Sequence, residues 1–458
     1  MDKIEKKSIG YSLLFYPVKW FYYLYYRKVI ITGKAKIPVG QPIIFAANHQ
    51  NALMDALAIL MAANRPVVFL SRADIFTNKR IARILNFLRM MPVYRLRDGF
   101  DSMGKNQESF VHTARVLKSG TPLAILPEGV YSPKKRLLPL KKGICRIAFQ
   151  TAETSGFTMN IFIVPIGIDY TAYQKAGTEL VINYGDPIAI SNYYADYQSN
   201  PQKTINSLRD QIARALKEVM IHTEDEGHYH LIHALAETAL SSYLTQQKLS
   251  NNRYSRFQAT QKLIALIGKG IESGTINIDA ASRQTEAYQR QLNQYGLKDW
   301  LFELPLPNRL SVATEALLWL AGSPLFLYGL AINYLPYSLP GRVARKMKDK
   351  QFVSSVNFAL GLILFPIWHL ILLVICLISG MGAIASLMLL VSWVIGGIFA
   401  FYHARRFKKL SGKYRLWQLL RKQKSVYRQM AEERKKIIQT VLAQAISNEN
   451  IKQQKENQ

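Results

Sequence analysis

The chain has 458 residues, of which 59 are Lys or Arg and 30 are Asp or Glu, so its formal charge is +29, and 49% of its residues are hydrophobic. This composition excludes a disordered chain, which would bury too little apolar surface to offset the entropy lost on folding. The two cysteines, Cys145 and Cys376, exclude a disulfide framework and a cysteine-based zinc site, and they favour a reducing compartment. A chain that is both apolar and basic indicates an anionic membrane as partner, with nucleic acid as the alternative.

The N-terminal segment, residues 1–30, is predicted to be an interfacial membrane anchor. Nine aromatic residues lie between Tyr11 and Tyr26, with Pro17 and Lys19 among them. Tyr and Trp prefer the headgroup level of a bilayer, where an apolar ring and a polar tip are both satisfied. The alternative is an aromatic helix packed in a protein core. A cleavable signal peptide is not expected, because the proline and the lysine interrupt the apolar run.

Residues 31–220 show strands alternating with helices. Short β-branched or aromatic segments bounded by Pro, Gly or Asn predict six strands, at 42–47, 66–70, 91–95, 122–126, 160–167 and 180–184. Apolar residues at three- and four-residue spacing predict four helices between them, at 51–63, 79–88, 105–119 and 141–153. This alternation predicts an α/β domain with a mostly parallel sheet flanked by helices.

The C-terminal part of the chain contains a predicted transmembrane hairpin. Residues 351–404 form a run of 54 residues without Asp, Glu, Lys or Arg. At about 1.5 Å per residue this run can cross a hydrocarbon core of about 30 Å twice. We expect spans at 354–379 and 383–402, joined by a glycine-containing turn. Basic residues flank both ends, so both ends are predicted to face the cytoplasm.

Three further regions complete the predicted domain organisation. Residues 221–311 are mainly helical and are interpreted as an accessory region. Residues 312–341 are apolar but contain three prolines, so we expect a re-entrant or interfacial segment rather than a simple span. Residues 405–458 hold 15 basic and 4 acidic residues. We interpret them as a basic cytoplasmic helical tail bound to anionic lipid.

A candidate catalytic pair follows the strand at 42–47. His49 comes directly after this strand, and Asp55 lies six residues further on. A carboxylate that binds one nitrogen of an imidazole fixes its tautomer and stabilises its charged form, which a general base for a hydroxyl requires. A histidine and an aspartate at this separation also arise by chance, so the pair alone is weak evidence for catalysis.

Basic residues near the ends of two other strands predict an anionic substrate. The strand at 91–95 leads to two cations, Arg95 and Arg97. The strand at 122–126 leads to Glu128 and Gly129, followed by three basic residues, Lys134, Lys135 and Arg136. Such clusters suit a phosphate-bearing substrate. A solvated basic surface is the alternative interpretation of any one of them.

Taken in order, these motifs resemble the glycerophospholipid acyltransferase superfamily, the glycerol-3-phosphate and 1-acylglycerol-3-phosphate O-acyltransferases. That family shows Asn-His with a downstream Asp, a Pro-Val strand ending in Arg, Pro-Glu-Gly, and a Val-Pro strand. Here these motifs begin at residues 48, 92, 127 and 164. The resemblance implies direct acyl transfer from an acyl thioester, either acyl-CoA or acyl carrier protein, with no metal and no cofactor.

The resemblance also implies a role for each candidate residue. His49 would remove the proton from the acceptor hydroxyl, Asp55 would orient the imidazole, and backbone amides near the strand-to-helix turn would hold the oxyanion. Arg95 and Arg97 would bind the acceptor phosphate. Glu128 would hydrogen-bond a glycerol hydroxyl or order those cations, and Gly129 would allow close backbone approach. Basic residues would substitute for the Arg that commonly follows Pro-Glu-Gly, the candidates being Lys134, Lys135 and Arg136.

Two departures from the family pattern are visible. Five residues rather than the common four separate His49 from Asp55. On a regular helix six positions advance about 240°, so the two side chains would not be neighbours. The histidine must therefore precede the helix that carries the aspartate. Pro-Glu-Gly continues with Val-Tyr-Ser instead of Thr-Arg-Ser. Both departures look more like the eukaryotic-type glycerol-3-phosphate/dihydroxyacetone-phosphate acyltransferases, which have C-terminal membrane helices.

The predicted function is therefore that of a membrane-bound O-acyltransferase of phospholipid biosynthesis, with membrane phospholipid as a partner. The acceptor is left open among glycerol-3-phosphate, dihydroxyacetone phosphate and lysophosphatidate, as are the acyl-chain length and oligomeric state. The alternative is a non-catalytic membrane lipid-binding or tethering protein. No nucleic acid is expected, because no aromatic-basic motif accompanies the charge. Three histidines are spaced like metal ligands, but only the last two can share a helix face: His228, His230 and His233.

Overall fold

The structure, a computed structural model, describes residues 4, 5, 8–93 and 102–456, without the side chains of 102–109 and 445–456. It divides into two compact units. The first comprises Met1–His222 and Ala344–Phe358, and the second comprises Thr223–Val343 and Ala359–Gln458. The first unit therefore ends close to the predicted domain boundary at residue 220, and it also includes a short segment from much later in the chain.

The described strands of the first unit form one eight-stranded sheet. They are β1 Lys28–Thr32, β2 Ile43–Ala47, β3 Val68–Arg72, β4 Met90–Val93, β5 Leu123–Ile125, β6 Phe162–Tyr170, β7 Glu179–Tyr184 and β8 Ile188–Ala189. The order is β1-β7-β6-β2-β5-β3-β4, with β8 paired to β6. Among these strands only the β6–β7 and β6–β8 pairs are antiparallel, so the predicted mostly parallel sheet is confirmed. The sequence patterns missed β1 and β8.

Helices flank this sheet. They are α1 Ile9–Tyr25, α2 Ala52–Ala63, α3 Lys79–Phe87, α4 Ser102–Lys118, α5 Gly143–Thr154, α6 Tyr194–Ser199 and α7 Pro201–Val219. Every residue of β2 is buried, as expected for a central parallel strand with both faces covered. The core packs apolar residues of α5 and α7, such as Phe149 and Leu216, against strand residues such as Ile44 and Ile163. The site described below lies at the carboxyl end of β2.

The rest of the described chain is helical. Its helices are α8 Tyr229–Gln246, α9 Arg253–Glu272, α10 Ile278–Gln294, α11 Arg309–Ala321, α12 Ser323–Arg345, α13 Val353–Ile378, α14 Ala383–Lys422 and α15 Lys424–Glu456. The basic tail does not form a separate arm, because α15 packs against α8, α9 and α10. Its buried Met430 and Ile437 and the ion pair between Arg434 Nε and Asp299 Oδ1, at 2.9 Å, hold it there. Binding of this tail to lipid stays a prediction.

Within the described residues, two single helices are long and apolar enough to cross a membrane. One is α13 with the turn before it, Lys350–Ile378, and the other is α14. They correspond to the predicted hairpin. Gly380 has a φ of +83° in the turn between them, where glycine is the residue least strained.

The third apolar region is a bent helix pair. Helices α11 and α12 meet at an angle of 49°. The break falls at Gly322, where a Cβ atom would lie 2.6 Å from the His403 ring. Pro336 and Pro340 lie inside α12 and do not end it. This geometry fits either a broken span or a re-entrant segment, so the re-entrant or interfacial placement of residues 312–341 stays a prediction.

Candidate active site

His49 and Asp55 meet where β2 leads into α2. The histidine follows the end of β2, and the aspartate lies in the first turn of α2. His49 Nδ1 is 2.9 Å from Asp55 Oδ2, which confirms the predicted pairing. The histidine side chain is 19% exposed and the aspartate side chain is fully buried. Because Nδ1 is engaged by the carboxylate, Nε2 is the ring nitrogen that can act on a substrate.

The Asp55 carboxylate is surrounded by donors. In addition to His49, the backbone amides of Gln50 and Asn51 donate to Oδ2, each at 2.7 Å. The Tyr170 hydroxyl donates to Oδ1 at 2.8 Å. Burial raises the pKa of Tyr170 well above its usual range, so this hydroxyl keeps its proton. These contacts satisfy a buried carboxylate and fix its orientation toward the imidazole.

An unusual backbone turn brings the two side chains together across the extra residue. Helix α2 begins at Ala52, so His49 precedes it, as the spacing argument predicted. Ala52 itself has a φ of +40°, in the left-handed region that non-glycine residues seldom adopt. The aspartate six residues after the histidine can therefore reach back to it.

The amides of residues 49–51 are engaged within the protein, so oxyanion binding by other amides near this turn stays a prediction. The His49 amide donates to Glu128 Oε1 at 2.7 Å, and the amides of Gln50 and Asn51 donate to Asp55. An amide already committed to a carboxylate inside the protein is not a free donor for substrate. These amides instead hold the candidate pair in position.

Glu128 holds the histidine backbone. This side chain is buried, and its two oxygens accept from the amides of His49, at 2.7 Å, and Leu138, at 2.9 Å. Burial raises the pKa of Glu128 to about 7, while the two amide hydrogen bonds oppose that shift. Gly129, the next residue, has a φ of +66° that favours glycine. The observed contacts are internal to the protein, so substrate contact by Glu128 or Gly129 stays a prediction.

The basic loop after β5 is fastened to the histidine turn. The Ser132 amide donates to the His49 carbonyl at 3.3 Å, and Gln50 Nε2 donates to the Lys134 carbonyl at 3.2 Å. Lys135 Nζ pairs with the buried Asp169 at 2.6 Å, which offsets part of its charge. The loop therefore lies beside the pair.

The predicted phosphate-binding residues have different outcomes. Three of them lie on this loop with half-buried side chains: Lys134, Lys135 and Arg136. Their binding of phosphate stays a prediction. The other two, Arg95 and Arg97, lie outside the described residues.

Sequence reasoning missed several residues that build the site. Asn48 pairs with the backbone of Ile168 in both directions, since Nδ2 donates to its carbonyl and Oδ1 accepts from its amide. Asn51 donates to the Tyr173 carbonyl at 3.0 Å and accepts from the Ser354 hydroxyl. Asn48 is part of the Asn-His motif, so the motif could have identified it as a site residue. Ser354 is 303 positions from Asn51, and no local pattern connects them.

Two of the three histidines that are spaced like metal ligands, His228 and His233, have separate partners. His228 Nδ1 is 2.6 Å from Asp225 Oδ2, and His233 Nε2 is 2.9 Å from the Thr223 hydroxyl. Within the part of the chain that the structure describes, no three His, Cys, Asp or Glu side chains converge in a way that could hold a metal ion.

The sequence of this domain matches a family model. Residues 28–169 match the model described as Acyltransferase, and this range includes His49, Asp55 and Glu128. The chain therefore carries an acyltransferase domain over these residues, and the resemblance found from the motifs is confirmed.

Curated relatives support the same class. Glycerol-3-phosphate O-acyltransferase 2 of Saccharomyces cerevisiae is 24% identical over 286 residues, covering 59% of this chain and 35% of that protein. Glycerol-3-phosphate O-acyltransferase 1 of the same yeast is 26% identical over 186 residues, covering 40% and 23%. The matched segments thus span about a third and about a quarter of these relatives. Among solved structures, the 1-acyl-sn-glycerophosphate acyltransferase PlsC of Thermotoga maritima matches with a TM-score of 0.32 and 15% identity, covering 46% of this chain and 82% of that one.

Proposed function

We propose that this protein is a membrane-bound O-acyltransferase that transfers a fatty acyl group from an acyl thioester to a hydroxyl of a phosphorylated glycerol. The observation that carries the proposal is the 2.9 Å contact between His49 Nδ1 and Asp55 Oδ2 inside the acyltransferase domain. The names of the two yeast relatives make glycerol-3-phosphate the first acceptor to test. Dihydroxyacetone phosphate and lysophosphatidate are the other two candidates.

The geometry supports general-base catalysis. The Nδ1–H of His49 donates to Asp55, and Nε2 takes the proton of the acceptor hydroxyl. The hydroxyl oxygen attacks the thioester carbonyl at the same time. The carbon–oxygen bond forms, the carbon–sulfur bond breaks, and the departing thiolate receives the proton from the imidazolium. The Asp55 carboxylate stabilises the positive imidazolium between these steps. No bond to the enzyme forms, and the mechanism uses no cofactor.

Basic residues are proposed to bind the phosphate of the acceptor. Arg95 and Arg97 are the first candidates. The loop beside the histidine turn supplies three more: Lys134, Lys135 and Arg136. The net charge of +29 attracts both the acceptor phosphate and an anionic donor, whether acyl-CoA or acyl carrier protein.

The protein is proposed to be integral to the cell membrane, with its catalytic domain on the cytoplasmic face. Helices α13 and α14 supply two candidate spans joined by a tight turn. Basic residues stand before the first span, at 342–350, and after the apolar part of the second, at 405–409. The excess of Lys and Arg on cytoplasmic loops favours this orientation.

Acyl transfer by the purified full-length protein tests the proposal. The protein is reconstituted in phospholipid nanodiscs and given radiolabelled acyl thioester with each acceptor, and products are separated by lipid chromatography. We expect His49→Ala and Asp55→Ala each to lower kcat by about 100-fold or more, because the general base is lost or misoriented. Near-wild-type turnover in either variant would refute the assignment.

A matched control exists in the same chain. His228 and Asp225 form a second histidine–aspartate pair, at 2.6 Å, outside the acyltransferase domain. His228→Ala and Asp225→Ala should leave turnover near that of the wild type. If the wild-type protein transfers acyl groups to none of the three acceptors, the lipid-binding or tethering alternative is favoured.

A further inference from the structure

Helix α3 has the character of a membrane-surface helix. It lies between β3 and β4, all of it is described, and none of its residues is buried. Three apolar residues at three-residue spacing are between 44% and 59% exposed: Ile81, Ile84 and Phe87. All its charged residues are basic: Lys79, Arg80 and Arg83. A short amphipathic helix with exposed large apolar side chains and a basic polar face is typical of helices that lie in a bilayer interface.

Helix α1 carries a similar exposed stripe. Five residues at spacings of three and four are between 44% and 83% exposed: Ile9, Leu13, Tyr16, Trp20 and Leu24. This spacing puts them on one side of the helix. The opposite side is packed, since Tyr22 and Tyr25 are buried and contact Phe358. The aromatic helix therefore has a core-facing side and an exposed apolar side, and its placement in a membrane interface stays a prediction.

The two helices touch one another. A Cβ atom on Gly10 of α1 would lie 3.4 Å from the Phe87 ring of α3. The guanidinium of Arg89, just after α3, lies 4.8 Å from the centre of the Tyr11 ring. Helices α1 and α3 are thus in contact, and each carries exposed apolar residues. We call the residues Ile81, Ile84 and Phe87 with the α1 stripe the apolar surface.

The charges and the neighbouring segment identify lipid as the occupant of this surface. A protein partner or a second copy of the chain would also cover apolar residues. Three cations on α3, without any acidic residue in the helix, complement lipid phosphates instead. In addition, Phe358, which α1 contacts, belongs to the candidate span Lys350–Ile378.

We propose that α3 is a second interfacial membrane-binding element. Ile81, Ile84 and Phe87 enter the boundary between headgroups and acyl chains beside α1, while Lys79, Arg80 and Arg83 bind the phosphates of anionic lipid. The proposal rests on the membrane attachment in the proposed function but not on catalysis. It predicts that one side of the catalytic domain lies on the bilayer independently of the spans.

Lipid contact at residue 84 is the decisive measurement. In the full chain, both native cysteines are replaced by Cys145→Ala and Cys376→Ala, and Ile84→Cys is labelled with an environment-sensitive fluorophore. The labelled protein is placed in nanodiscs of equal parts phosphatidylcholine and phosphatidylglycerol. We expect strong quenching by lipids that carry a spin label on the acyl chain, and weak quenching by aqueous iodide. The control is Val39→Cys, an apolar position that is 95% exposed and outside the apolar surface. There we expect the reverse pattern.

The charge reversal Lys79→Glu, Arg80→Glu, Arg83→Glu tests the electrostatic part. It should at least halve lipid quenching at residue 84 while leaving incorporation into nanodiscs unchanged, because α13 and α14 still hold the chain. Strong iodide quenching at residue 84 would overturn the proposal. Protection from both quenchers would also overturn it, since a protein would then cover α3. Acyl transfer measured on the same samples separates a failure of lipid binding by α3 from a failure of the proposed catalysis.

Discussion

At the scale of single residues, the imidazole of His49 depends on how its carboxylate is held. Asp55 is fully buried, and its contacts come from the turn amides, the histidine and the Tyr170 hydroxyl. A hydrogen bond to a charged group contributes about 1.5–3 kcal/mol. Tyr170 touches no substrate atom in this scheme, so it acts as a positioning residue through Asp55.

We expect Tyr170→Phe to lower kcat about tenfold or more, because the carboxylate loses one donor and some of its fixed orientation. Steady-state kinetics with each acceptor measures this loss of kcat.

Tyr184→Phe is the matched control for that substitution. Tyr184 is another buried strand tyrosine of the same sheet, and its hydroxyl has no hydrogen-bond partner among the described residues. Removing it should leave kcat unchanged. Equal kcat values in Tyr170→Phe and Tyr184→Phe would contradict a positioning role for Tyr170.

At the scale of elements, the turn from β2 into α2 decides whether the pair can form. Its distinguishing feature is Ala52, which has a φ of +40°. A left-handed conformation costs an L-residue about 1–2 kcal/mol. The turn keeps this strain because the same backbone aims the amides of Gln50 and Asn51 at Asp55. The strained residue, Ala52, lies within the longer His49–Asp55 spacing of this motif.

Substitutions at Ala52 should therefore behave unlike those elsewhere in α2. Ala52→Gly should leave the free energy of unfolding unchanged or raise it by up to about 1 kcal/mol, because glycine adopts positive φ without strain. Ala52→Val should lower it, because β-branching makes that conformation worse. Unfolding midpoints in detergent provide the measurement.

Ala56, a half-buried residue inside α2, supplies the control. Ala56→Gly should lower the free energy of unfolding by about 0.5–1 kcal/mol, since glycine is disfavoured within a helix. Equal losses at positions 52 and 56 would contradict the strained turn.

At the scale of the whole molecule, the chain leaves the catalytic domain and returns to it. Residues 344–358 belong to the first unit although they follow the helices of the second. They contribute Ser354, which donates to Asn51, and Phe358, which packs against Phe21 at 5.2 Å between ring centres. The segment just before and within the first candidate span is thus part of the domain that holds the site.

This connectivity predicts the membrane topology. In sealed vesicles, Lys346→Cys and Lys408→Cys should react with an impermeant thiol reagent from the same side, because a hairpin returns to the side where it began. With a re-entrant or interfacial α11–α12 segment, Arg309→Cys should react from that side too. Labelling of position 309 from the opposite side only would show that this segment crosses. The native cysteines are replaced in all three variants.

Much of this protein follows from local sequence patterns. Periods of two and of three to four residues located the six predicted strands and their intervening helices, because each element buries one repeated face. The uncharged run located the candidate spans, and His49 and Asp55 were predicted because the motif is nearly contiguous. The tertiary structure alone decided which groups hold the pair. Tyr170 donates to Asp55, Glu128 accepts from the His49 amide, Ser354 donates to Asn51, and α15 packs against α8, α9 and α10. Each of these contacts joins segments that are far apart in the chain, and a local pattern carries no record of such a pairing.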